Sequence, residues 1–142
     1  MQLHLHDLQQ IPVDFGLLEK VADFTAQHVD LDVENVSLIL VDNEEIQRLN
    51  RSFRGFDKPT DVLTFECDEA DEGIAGEIMI SVEMAVSQAQ LAGHDTTSEL
   101  AWLMAHSILH LAGYDDETAE GLAEMIELQH EIMSALKIEV NA

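Results

Sequence analysis

The sequence predicts an α+β domain, with about four strands in a mixed sheet packed against five or six helices. Three observations predict it. Strand-like and helix-like segments alternate through the first part of the chain, and helical patterns cluster in the last part. With 142 residues and 46% apolar residues, the chain suits one hydrophobic core, and no repeat, low-complexity tract or Pro/Gly/Ser linker divides it. Finally, "ELAWLMAHSILHLA" is apolar almost without interruption, which requires a central helix rather than a surface one.

Taken in order, "QLHLHDL" alternates and reads as a strand. After Pro12, "VDFGLLEKVADFTAQHV" places Phe15, Leu18, Val21, Ala22 and Val29 at helical spacing. "VSLILV" is a second strand, and Asp42 is the expected N-cap of a helix over "NEEIQRLNRSF". "RGFDKPTD" reads as a turn-rich connection to the strand "VLTFE", and "CDEADEGIAG" as an exposed loop before the strand "EIMIS". A helix over roughly 82–91 closes at Gly93, and Thr97 or Ser98 is expected to cap the central helix. After "GYDD" a last helix runs to about Leu136, with Leu122, Met125, Ile126, Ile132 and Met133 as its inner stripe. Strand order does not follow from these patterns.

Charge narrows the function classes. The formal net charge is −23, from 29 acids and only 6 Lys and Arg, so most of the surface should repel polyanions and anionic lipid. A broad nucleic-acid binder is disfavoured. Four of the cations, however, fall within eleven positions: Arg48, Arg51, Arg54 and Lys58. They form either one patch able to meet phosphate or a set of partners for nearby acids on a solvated helix. The single cysteine, Cys67, excludes an internal disulfide and a cysteine-rich zinc finger, as a reduced compartment would tolerate. With neither a secretory pattern at residues 1–10 nor an apolar run near ~18 residues, a cytoplasmic protein without membrane contact is expected.

The chemistry concentrates in "HSILHLAGYDD", residues 106–116. His106 and His110 lie one turn apart on one helix face, the spacing at which two imidazoles meet one metal ion. Gly113 can reverse the chain, returning Asp115 or Asp116 over the histidines as an oxygen ligand with a position left for water. Alternatively, the histidines are hydrogen-bonded core residues and either aspartate caps the next helix. Zinc peptidases carry a glutamate base directly after the first histidine; here that residue is Ser107, whose alcohol cannot take the role, and nothing local places another base such as Glu99. Arg54, where a helix gives way to the loop before "VLTF", can present a planar guanidinium to phosphate, or else pair with Asp57 or Asp61.

"FRGFDKPTDVLTF", "GEIMIS" and "HSILHLAGYDD", in this order, resemble the YbeY family of bacterial rRNA-maturation endoribonucleases, over roughly 38–136. That family usually ends in His-Gly-x-Leu-His-Leu-x-Gly-Tyr-Asp-His, its three histidines binding zinc. The first two correspond to His106 and His110 and the third to Asp116; the family's catalytic arginine corresponds to Arg54. The resemblance implies a single-domain, single-strand-specific endoribonuclease acting on ribosomal RNA in 16S 3′-end maturation and ribosome quality control. It implies one Zn²⁺ per chain, with another divalent metal open because of Asp116, and a ribosome or ribosome-associated protein as partner rather than DNA. Arg51 and Lys58 are weaker candidates for gripping the RNA backbone. Ser107 in place of the family's glycine should be tolerated on a helix but can crowd the site. Two alternatives remain at this stage: a metal-dependent hydrolase of another bond, such as a peptidase, and a non-catalytic ribosome-associated factor with an altered metal site.

Overall fold

The computed structural model describes residues 1–142. The elements run β1 (Gln2–Asp7), α1 (Phe15–His28), β2 (Asn35–Val41), α2 (Asn43–Arg54), β3 (Val62–Glu66), α3 (Glu69–Glu72), β4 (Gly76–Ser81), α4 (Val82–Ala92), α5 (Thr96–Leu111) and α6 (Ala119–Ala135). This is the α+β architecture expected, with four strands and six helices.

The sheet order is β1-β2-β4-β3. β1 and β4 both lie parallel to β2, whereas β3 runs antiparallel to β4, pairing Val62 with Ile80 and Glu66 with Gly76. β3 is therefore an edge strand, with one row of backbone groups left unpaired by the sheet.

Strand alternation sorts the core into two clusters. Val36, Leu38 and Leu40 of β2 and Ile78 and Ile80 of β4 face the large cluster, which they share with residues of α1, α4, α5 and α6. Val41, Met79 and Leu63 join a smaller cluster with Ile46 of α2. Helix α5 is central as predicted, and its Met104, Ile108 and Leu109 are fully buried. Each contributes roughly 1.5–3 kcal/mol by leaving water. The last turn of α5 is thus anchored on the core side, while its other side is free to carry polar groups.

Three local readings change. The acidic segment before β4 is exposed as expected, yet it forms one short helical turn, α3, because Asp68 accepts a hydrogen bond from the Ala70 amide. The N-cap of α5 is Asp95, not Thr97 or Ser98; the Ser98 hydroxyl instead donates to the Asp95 carboxylate (2.8 Å). In α6, Met125, Ile132 and Met133 are buried as predicted, but Leu122 and Ile126 are exposed and the stripe includes Gln129, which is 1% exposed.

Candidate metal centre

His106 and His110 occupy the last two turns of α5, and Gly113 follows with φ of 99°. That left-handed conformation, which a side chain would strain, turns the chain back so that Asp116 reaches the histidines. The Asp116 carboxylate lies 3.5 Å from His106 Nε2 and 3.7 Å from His110 Nε2. The two Nε2 atoms are 3.0 Å apart. No other group of three ligating side chains converges in the chain.

Asp116 is not committed elsewhere. Thr118 caps α6 by accepting from the Gly121 amide (3.0 Å), and Asp115 accepts from the Glu117 amide (3.2 Å). The helix-cap reading therefore belongs to Thr118. Gly121 makes this close return possible, since a Cβ there would collide with the Asp115 carbonyl.

The outer nitrogen of each ring is held. His110 Nδ1 donates to the Tyr114 carbonyl (3.0 Å), within the same turn. His106 Nδ1 meets Gln129 Oε1 at 3.4 Å, and the Gln129 amide nitrogen donates to the Trp102 carbonyl (3.1 Å). That second bond fixes the amide orientation, so its oxygen must face His106 and receive the Nδ1 proton. Both Nε2 lone pairs then point inward at each other and at a carboxylate. Such an arrangement is repulsive between the rings unless a cation sits among the three atoms. Metal bonds of ~2.0–2.2 Å at tetrahedral angles place ligand atoms roughly 3.3–3.6 Å apart, close to the separations present. The donor set fits a divalent ion.

Burial is the main cause that pushes the His106 pKa below its usual value; the neighbouring His110 acts the same way, against Gln129, Asp116 and Asp61. A neutral imidazole is the form a metal takes.

These side chains open into a cleft of about 840 Å³ bounded by Arg54, Thr60, Asp61, the whole of β3 and residues 113–117. Arg54 is the last residue of α2, and Gly55 caps that helix with φ of 77°. Neither Asp57 nor Asp61 claims its guanidinium: Asp57 sits 3.9 Å from Arg51, and Asp61 accepts from the Val62 amide (2.8 Å). Arg51 lines a different hollow, with Arg48 and Asp42, and so is not gathered into the metal cleft. Lys58 lies over the Phe56 ring with Arg54 and does not line the cleft.

Ser107 is fully buried and donates to the Leu103 carbonyl (2.9 Å) on the core side of α5, so it crowds nothing at the site. Glu99 is likewise buried, 2.7 Å from His94 and outside the cleft. The peptidase alternative thus gains no base from either residue.

The family model described as Endoribonuclease YbeY matches residues 10–137. The chain belongs to the YbeY family. A protein of Clostridioides difficile named Endoribonuclease YbeY is 39% identical over 150 residues, spanning 97% of this chain and 98% of its own. Its namesake in Pediococcus pentosaceus is 35% identical with 92% of each chain covered, and that of Moorella thermoacetica is 46% identical over 71% and 72%. A Thermotoga maritima protein solved in solution superposes with a TM-score of 0.64 at 30% identity, over 96% of this chain and 92% of that one. The α+β fold expected from the strand and helix patterns is shared with that solved relative.

Gln129 was not legible as part of the site. It sits 23 residues from His106, on another helix, and its only signal was a polar residue spaced with the buried Met125, Ile132 and Met133. Asp61 was legible only as a possible partner of Arg54; it lines the YbeY cleft, and its charge favours the protonated form of His106, against the larger effect of burial.

Proposed function

We propose that the chain, as one domain over 1–142, is a metal-dependent endoribonuclease that cleaves single-stranded RNA in rRNA processing. The observation that carries this reading is an arginine free of acidic partners, Arg54, on the same cleft as His106, His110 and Asp116. A planar guanidinium matches the phosphate of a phosphodiester, and no carboxylate competes for it.

His106, His110 and Asp116 hold the ion, and Gln129 and the Tyr114 carbonyl keep both imidazoles turned towards it. When bound, the ion supplies Lewis acidity and acidifies a water. Arg54 orients the scissile phosphate and neutralises charge that builds on its oxygens. Zinc suits two imidazoles and one carboxylate in a four-coordinate site; the added anionic oxygen also admits harder divalent ions and makes the centre less electrophilic than three imidazoles would. The biological target is ribosomal RNA at the 16S 3′ end, met in the cytoplasm with the ribosome or a ribosome-associated protein. Family membership and the scarcity of cations support that setting, because few phosphates can be gripped without help.

Arg54→Ala tests the chemistry. Cleavage of single-stranded RNA by metal-loaded protein should fall ~10²–10³-fold with metal content unchanged. If the variant cleaves like the parent, Arg54 has no catalytic role. Casein hydrolysis without RNA cleavage by the parent would remove the nuclease reading altogether.

A further inference from the structure

Phe53 and Phe56 are 64% and 49% exposed, the most open aromatic rings in the chain. They flank Arg54 on either side of the αL residue Gly55, and both connect to the metal cleft. Phe53 packs on Phe65 of β3, a cleft-lining residue, with ring centroids 5.4 Å apart and a tilt of 58°. The Arg54 guanidinium lies 5.2 Å and the Lys58 ammonium 5.8 Å from the Phe56 centroid.

Solvating two neighbouring phenylalanines costs free energy that folding did not avoid. The charges around them are also unusual. Of the four clustered cations, Arg48 and Arg51 have acidic partners in Glu45 and Asp57, whereas Arg54 and Lys58 have none within 4.0 Å. In a chain of net charge −23, the two unpaired members of the cluster are the two that border an exposed ring. The loop that carries them is held, since the buried Asn50 side chain donates to the Lys58 carbonyl (2.9 Å).

Exposed aromatic faces beside cations are how proteins hold single-stranded nucleic acid: rings stack on bases, and cations meet the phosphates between them. A duplex offers no free base face to such a ledge. We propose that Phe53 and Phe56 form a base-stacking ledge at the mouth of the cleft, where they receive unpaired RNA bases next to the scissile phosphate and Lys58 takes an adjoining phosphate. The ledge rests on the nuclease reading and deepens it, because it assigns single-strand selection to named side chains.

The test is steady-state cleavage of a short unstructured oligoribonucleotide by metal-loaded Phe53→Ala, Phe56→Ala and Phe56→Trp proteins. It is repeated on substrates with one abasic nucleotide stepped along the strand. Each alanine variant should raise KM ~10-fold with kcat and metal content kept, and Phe56→Trp should keep the parental KM. The parent should lose about the same factor at particular abasic positions, to which the alanine variants are indifferent. Parental KM in both alanine variants, or abasic losses equal in parent and variants, would overturn the ledge and leave the nuclease reading standing. A fall in kcat at constant KM would also overturn it, because the rings would then act only by supporting Arg54. If the parent cleaves none of the RNA substrates, the nuclease reading fails and the ledge fails with it.

Discussion

Helix α5 carries a histidine arrangement at each end, and the two ends differ in one respect. At the start, His94 Nδ1 accepts from the Asn141 amide (2.8 Å) and its Nε2 donates to Glu99 (2.7 Å), with both side chains under a tenth exposed. At the finish, His106 and His110 have their Nδ1 atoms held by Gln129 and Tyr114, but their Nε2 atoms face each other and Asp116. The first site is closed, since every ring nitrogen has its partner within the fold. The second is satisfied on the outside and open on the inside. Histidine next to carboxylate is thus not in itself a metal signal; the count of uncommitted nitrogens is.

The largest effect should come from removing an inward nitrogen. His110→Ala should lose the metal and reduce RNA cleavage ~10³-fold or more, with a near-parental thermal transition in metal-free protein. Retained stoichiometric zinc by elemental analysis would break the comparison. Next, His94→Ala leaves Glu99 buried without its partner and should destabilise by about 3 kcal/mol in denaturant unfolding. Metal content of the folded fraction should stay at the parental level; metal loss there would mean that the closed end is coupled to the open one. Gln129→Leu should weaken metal affinity ~10–100-fold by freeing the His106 ring, read by competition with a chelator. Smallest is Gly121→Ala, in which the new Cβ meets the Asp115 carbonyl and pushes the loop that carries Asp116. A loss of about 1–2 kcal/mol, with weaker metal binding, is expected; unchanged metal affinity would show that the loop relocates without Asp116.

The legible parts of this molecule were those encoded by local spacing. One helical turn sets His106 beside His110, and the glycine reversal brings back Asp115 or Asp116, so a candidate cluster could be read within eleven residues, with Asp116 singled out only by the family motif. Arg54 was legible as a helix-to-loop residue, although its freedom from Asp57 and Asp61 required the folded geometry. Gln129 and the order β1-β2-β4-β3 were not legible, because each depends on elements distant in sequence. That Arg51, a weaker candidate for gripping the RNA backbone, lines a hollow other than the metal cleft was also not legible. Three residues from Arg54 is nearly a full turn, yet Asp57 and the hollow with Asp42 draw its side chain away.

The confinement of four of six cations to eleven positions also has a kinetic consequence. A polyanion that approaches almost any other face is slowed by a field of many carboxylates, and the repulsion turns the two molecules relative to each other before contact. The acidic bulk then acts as an orientational filter. Productive encounters should be few but well aligned, and added salt, which flattens the field, should blur that alignment as it weakens the repulsion.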